Sequence, residues 1–163
     1  MKECDTCMYL ASPIEQYRLL LTDHWDVGLN TNQFYLGRAL ATLRRHESSL
    51  GGLTLDEWKD FADINRLFET IYGIVFSAAP LNWGCFMNHA FREKPHNPHV
   101  HWHLFPRYEA PAEFDGLLFP DNLYGRFYDN AAERVVSEAT MTDIAAALRS
   151  AMSSQPGLRL PAA

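Results

Sequence analysis

His99-Val100-His101-Trp102-His103-Leu104 alternates polar and apolar residues strictly, then runs on into Phe105-Pro106-Arg107-Tyr108. Successive side chains of a strand point to opposite faces, so this alternation predicts a half-buried strand. His99, His101 and His103 then share one face, with next neighbours about 6.5–7 Å apart along the strand. Val100, Trp102 and Leu104 point the other way, into a core. Four of the chain's seven histidines fall between positions 96 and 103, which argues against a chance scatter of surface imidazoles. A row of imidazoles on a rigid strand suits either of two partners. Neutral imidazole is the commonest metal ligand, and near neutral pH it is also a nucleophile or general acid.

Working outward, the clearest partner for such a strand is a helix. Thr54-Leu55-Asp56-Glu57 is a capping-box pattern, in which Thr54 accepts from the amide near Glu57 and Glu57 reaches back. Trp58, Phe61, Ile64, Phe68, Ile71 and Val75 follow at spacings of three or four. This predicts an amphipathic helix laid on a sheet, with Lys59, Asp60, Asp63 and Arg66 on the wet side. Strands are predicted over 17–22 and 25–28, in a stretch leading up to Leu43, and over 81–87. Gly37 stands where a turn or a close backbone approach is needed. Residues 110–116 read as a connecting loop, and Phe127-Tyr128-Asp129 as the end of a short extended segment. A terminal helix is expected to begin near Thr140 and run through Ile144 to Met152. One domain over residues 1–152 is expected, with a frayed tail over 153–163.

Composition sets outer bounds. With 47% hydrophobic and 21% charged residues the chain is built to bury a core, not to remain disordered. A formal net charge of −6 argues against nucleic acid or an anionic membrane as partner, both of which favour basic patches. No apolar run approaches the roughly 18–20 residues of a transmembrane helix. The first residues lack the apolar core of a signal peptide, so a cytoplasmic location is expected. Cys4-Asp5-Thr6-Cys7 is a lone Cys-x-x-Cys, open to three readings: half of a zinc site, a redox pair, or two unrelated thiols. Arg92 and His96, in the polar loop before the histidine row, are within reach of a phosphate or simply solvated.

His-x-His-x-His with apolar spacers, closing on Leu-Phe-Pro-Arg, resembles the signature of the histidine-triad superfamily of nucleotide hydrolases and transferases. Thr42-Leu43-Arg44-Arg45-His46, Leu53-Thr54-Leu55-Asp56-Glu57, Leu81-Asn82-Trp83-Gly84 and Met87-Asn88 extend the resemblance over about residues 1–108. The resemblance implies an α+β fold: an antiparallel sheet of about five strands with a long helix packed across it, usually as a homodimer. It implies that His101 attacks an α-phosphate to form a nucleotidyl-histidine, on a dinucleoside polyphosphate or nucleoside phosphoramidate. His103 would stabilise the phosphate charge, and Asn88, or secondarily Asn82, would hold the substrate. His96 joins them as a candidate phosphate contact, and Phe34 and Tyr35 as candidate base contacts. By resemblance to zinc-bearing relatives, Cys4, Cys7, His46 and His99 would hold one structural zinc. The chain departs from two well-known branches in having Pro95-His96-Asn97-Pro98 where they carry Gly-Gln-Ser/Thr, which bears on substrate preference. Two other functions remain open: three histidines binding a catalytic metal, and a non-catalytic nucleotide-binding domain.

Overall fold

The computed structural model describes residues 4–92, 94–128 and 132–155. Five strands form one antiparallel sheet: β1 (Arg18–Leu21), β2 (Trp25–Leu29), β3 (Ala39–Leu43), β4 (Leu81–Gly84) and β5 (His101–Pro106). Their order is β1-β2-β3-β5-β4, so the histidine strand lies inside the sheet with a neighbour on each side. Thr42 pairs with His101 and Leu40 with His103 across β3–β5, and Gly84 pairs with His103 across β4–β5.

One face of the sheet is covered by α2 (Leu55–Phe76). The helix starts where the capping box fixes it: Thr54 accepts from the Glu57 amide and the Glu57 carboxylate accepts from the Thr54 amide. Its apolar side lands on the tryptophans of the sheet. Phe61 stacks on Trp102 at 4.7 Å and meets Trp83 edge-on at 5.2 Å and Trp25 at 5.4 Å. The indole N–H of Trp25, wholly buried, donates to the Glu57 carbonyl. Because side chains alternate along β5, committing Trp102 and Leu104 to this core turns His101, His103 and Phe105 to the opposite face.

The helix departs from its pattern at two residues, the first being Trp58, which the spacing puts on the apolar side but which is exposed. Asp60 is buried, not on the wet side, because the Thr22 hydroxyl and the His24 amide of the β1–β2 turn both donate to it. Three further elements differ from expectation. Residues Asp5–Ala11 form a short helix, α1, with no buried residue and hence no apolar stripe to read. The expected loop over 110–116 holds part of a hairpin, β6 (Ala112–Phe114) and β7 (Leu117–Phe119), turned at Asp115-Gly116, both with positive φ. That Asp-Gly pair is a strong hairpin signal.

Finally, the strand expected over 81–87 stops at Gly84. A Cβ there would meet the Phe86 ring at 2.4 Å, so the glycine lets the chain fold back over itself toward His103. Gly37, with φ +77, supplies the close approach expected of it: a Cβ would sit 2.8 Å from the Tyr72 ring, whose hydroxyl donates to the Gly37 carbonyl. The last helix, α3 (Glu138–Ser153), is capped by Ser137 and starts two residues before Thr140. Phe127 and Tyr128 lie in no strand; Asp129 and residues 156–163 of the expected tail lie outside the described residues. No helix among those described is long and apolar enough to cross a membrane.

Candidate functional site

The open face of β5 carries His101 and His103. His101 Nδ1 lies 2.8 Å from the carbonyl oxygen of His99, so Nδ1–H donates to it and Nε2 keeps its lone pair. The His99 carbonyl is free to accept because the β3–β5 ladder begins only at His101. The His103 ring lies 5.0 Å from that of His101, centroid to centroid. Burial first, then the charges of His101, Arg38 and His89, push His103 down to about 3, so this imidazole is neutral. Its Nδ1 is buried and has no hydrogen-bond partner among the described residues. Buried polar atoms of native proteins are almost always paired, and this nitrogen, like Trp102 Nε1, is an exception.

His101 and His103 line a cavity of about 560 Å³. Asn88, His89 and Arg92 of the loop after β4 form a second wall, and Cys4, Asp5 and Thr6 at the start of α1 a third. Asn88 opens a single 3-10 turn, Asn88–Phe91, that follows Met87 in the left-handed region (φ 46). Four of the sequence candidates, Asn82, His96, Phe34 and the buried Tyr35, stand apart from this cavity. Asn82 faces Phe105 across β4–β5, one pleat beyond Gly84. His96 is exposed with its ring 5.0 Å from Phe91, and Phe34 packs edge-on against Tyr35 at 5.1 Å. The structure also adds groups that the sequence did not single out: His89 in the cavity wall and, beyond His103 on the same face of the sheet, an aromatic stack in which Tyr128 lies on Phe105 at 4.1 Å while the Arg38 guanidinium lies 4.6 Å from the Phe105 ring centre.

At the head of the same strand, Cys4, Cys7, His46 and His99 bring their donor atoms within 4.8 Å of one another. Both thiols lie 3.4 Å from His99 Nδ1, and Cys7 lies 3.4 Å from His46 Nδ1. The S–N edge of a tetrahedral zinc site is about 3.6 Å, given metal–ligand bonds of about 2.3 and 2.05 Å, so the donor set has the size of a zinc shell. The tautomer fits as well. His99 Nε2–H donates to the Leu43 carbonyl at 2.7 Å, which leaves Nδ1 as the coordinating atom and supplies the outer hydrogen bond such ligands carry. Burial, then the hydrogen bond and charge of Cys4, push the Cys7 thiol up to about 11; a divalent cation between the two sulfurs inverts that preference. The turn bearing His46 is pinned to the strand by the Val100 amide donating to Glu47 and the Leu43 amide to Val100. Arg45 braces it further through Glu57 and the Gly52 carbonyl.

No family model matches the sequence, and no curated protein matches it. Solved structures do. A hypothetical histidine triad nucleotide-binding protein from Sulfolobus tokodaii is 15% identical, with 93% of each chain covered and a TM-score of 0.68. A zinc-bound histidine triad family protein from Mycobacterium smegmatis is 16% identical over 96% of this chain and 98% of that one, TM-score 0.64. The diadenosine triphosphate hydrolase of Plasmodium falciparum is 15% identical over 86% and 79%, TM-score 0.61. This chain therefore has the histidine-triad fold, an α+β architecture of five antiparallel strands with a long helix across them.

Proposed function

We propose that this chain is a nucleotide hydrolase or nucleotidyl transferase of the histidine-triad kind. It would act at an α-phosphate of a dinucleoside polyphosphate or nucleoside phosphoramidate. The observation that carries the reading is the His101 Nδ1–His99 carbonyl bond, which presents Nε2 beside a neutral His103 at the wall of a cavity. His101 Nε2 attacks phosphorus; the P–N bond forms as the bond to the leaving oxygen or nitrogen breaks, and that electron pair departs with the leaving group. An amine leaving group also takes up a proton. Water then attacks phosphorus, the P–N pair returns to Nε2, the water gives up its proton, and a nucleoside monophosphate is released. His103 donates its one N–H to a phosphate oxygen as charge grows there. Asn88 holds the leaving-group side. Asn82, His96 and Phe34 serve only as outer contacts, since none lines the cavity. Cys4, Cys7, His46 and His99 would hold a zinc, which would supply structure alone because two thiolates and two imidazoles complete its shell. A single domain over 1–152, acting as a cytoplasmic homodimer, completes the proposal.

The test is His101→Asn. It should keep the fold and nucleotide binding and abolish turnover, while His103→Ala should lose about a hundred- to a thousand-fold in rate. Brief reaction of the wild type with labelled nucleotide, quenched in alkali, should leave label on the peptide containing His101; an acid quench should lose it, because phosphoramidates of histidine are acid-labile. Near wild-type turnover by His101→Asn, or label on another peptide, sinks the reading. Tight nucleotide binding by the wild type with no monophosphate released favours the non-catalytic binding domain instead.

A further inference from the structure

We propose that Arg38 is an anion-affinity residue of this cavity, a guanidinium kept without a counter-ion just before the strand that pairs with His103 until a phosphoryl group occupies the site. The proposal rests on the nucleotide-site reading above and names what gives that site its grip on phosphate.

Arg38 directly precedes β3, and the pairing of Ala39 with Leu104 places it across from Phe105, diagonal to His103. The residue is only 6% exposed, and its Nε is buried with no hydrogen-bond partner. Among the described residues its guanidinium forms no ion pair. The chain treats its other buried arginine quite differently. Arg107, 2% exposed, meets both oxygens of Asp121 at 2.6 and 3.0 Å and donates to the carbonyls of Leu123 and Arg126. Around Arg38 stand Tyr128, Tyr35 and the exposed Glu133, close enough to act on its charge; its main-chain amide donates to the Tyr35 carbonyl, and the close contact of its guanidinium is the face of Phe105.

An unpaired buried cation is expensive, and proteins keep one where something else supplies the missing charge. The site next to it calls for a fixed positive charge. His103 is neutral, and one neutral N–H does not balance a phosphate dianion. Arg38, by contrast, stays ionised at any working pH. It does not line the cavity, so it acts through its field across the Phe105–His103 step, whose ring centroids are 6.0 Å apart. At about 10 Å, the reach of the guanidinium–Phe105 and Phe105–His103 steps together, and an effective dielectric near 20, one unit charge is worth about fifteen-fold in anion affinity.

The experiment is calorimetric titration of wild type, Arg38→Met and Arg38→Lys with AMP, inorganic phosphate and adenosine, together with the Tm of each protein without ligand. Arg38→Met should weaken AMP and phosphate by about ten- to a hundred-fold and leave adenosine within about two-fold. Its ligand-free Tm should hold or rise, because an apolar side chain replaces an uncompensated buried charge. Arg38→Lys, which keeps the charge, should hold AMP affinity within about five-fold. Should Arg38→Met not fold, Arg38→Gln carries the same comparison. Unchanged AMP affinity in the uncharged variant overturns the proposal. So does a parallel loss of AMP and adenosine, which marks a packing role over Phe105. If the wild type binds none of the three ligands, the nucleotide-site reading fails and Arg38 with it; if it binds AMP and the uncharged variant binds equally, only the role of Arg38 falls.

Discussion

Replacing His103 with glutamine should flatten the acid limb of the protein's stability curve. Burial, helped by the charges of His101, Arg38 and His89, lowers the folded-state value from 6.5 to about 3. Above pH 6.5 neither the folded nor the unfolded chain protonates this ring, and the neutral buried form carries no penalty. Below 6.5 the unfolded chain takes up a proton that the folded chain refuses, so stability is lost as pH falls from 6.5 toward 3. The slope is about 1.4 kcal/mol per pH unit for one proton, which accumulates to about 2 kcal/mol by pH 5. Urea denaturation followed by tryptophan fluorescence, at pH 7.5, 6 and 5 in phosphate-free buffer, measures this. The His103→Gln variant should lose about 2 kcal/mol less than the wild type between pH 7.5 and 5. Other acid-sensitive groups, the buried His99 among them, are common to both proteins and cancel in the difference. Parallel curves would mean that His103 titrates as a solvated imidazole, and the picture of a desolvated, neutral donor beside His101 would be refuted.

Two further outcomes test the frame around the site. Purified under reducing, chelator-free conditions, the protein should carry close to one zinc per chain, and Cys4→Ser or His46→Ala should lose both the metal and stability; metal analysis that finds none rules out the four-ligand site. In α2, Phe61→Ala or Phe68→Ala should destabilise by about 3–5 kcal/mol, whereas Lys59→Ala should stay within about 0.5 kcal/mol despite its 3.2 Å pair with Asp63. Equal small effects at all three positions in urea titrations would mean the helix face is misassigned.

What was legible in the sequence is what local periodicity encodes. The alternation of β5 and the capping box of α2 each place a side chain by spacing alone; α2 starts where its box puts it, while β5 starts at His101, two residues after the alternation does, because the His99 ring and the Val100 amide are bonded to the Leu43 and Glu47 carbonyls ahead of the ladder. What escaped depends on partners far along the chain. Asp60 looks solvent-facing until the Thr22 hydroxyl and the His24 amide arrive from the β1–β2 turn. The seven residues of α1 bury none of their number, so no stripe announces them. The Asp115-Gly116 turn is a different case, since its signal was present in the residues. In the site, the thiols, His46 and the histidine row could be gathered by resemblance. By contrast, Arg38 sits in an ordinary approach to a strand, and nothing local marks a cation whose partner is missing. His89 and Arg92 come to the cavity only because Gly84 ends β4 early and Met87 turns the chain back.

The two halves of the site meet in one residue. His99 is held at both ring nitrogens, by the Leu43 carbonyl on one side and by the two cysteine sulfurs at 3.4 Å on the other. Its backbone carbonyl, outside the strand ladder, accepts the proton of His101 Nδ1. Fixing the ring of His99 therefore also limits how far that carbonyl can turn, and the carbonyl decides which nitrogen of His101 keeps its lone pair. α1 adds a second link, because Cys4 belongs both to the donor cluster and to the cavity wall that Asp5 and Thr6 continue. A cluster of this kind shapes the chemistry without touching a reacting atom. It orients His101, the proposed nucleophile, through one main-chain hydrogen bond and walls the cavity through the start of α1. That gives a physical reason for two thiols and an extra histidine to stand at the head of the strand, where a packing role alone would be served by three apolar side chains.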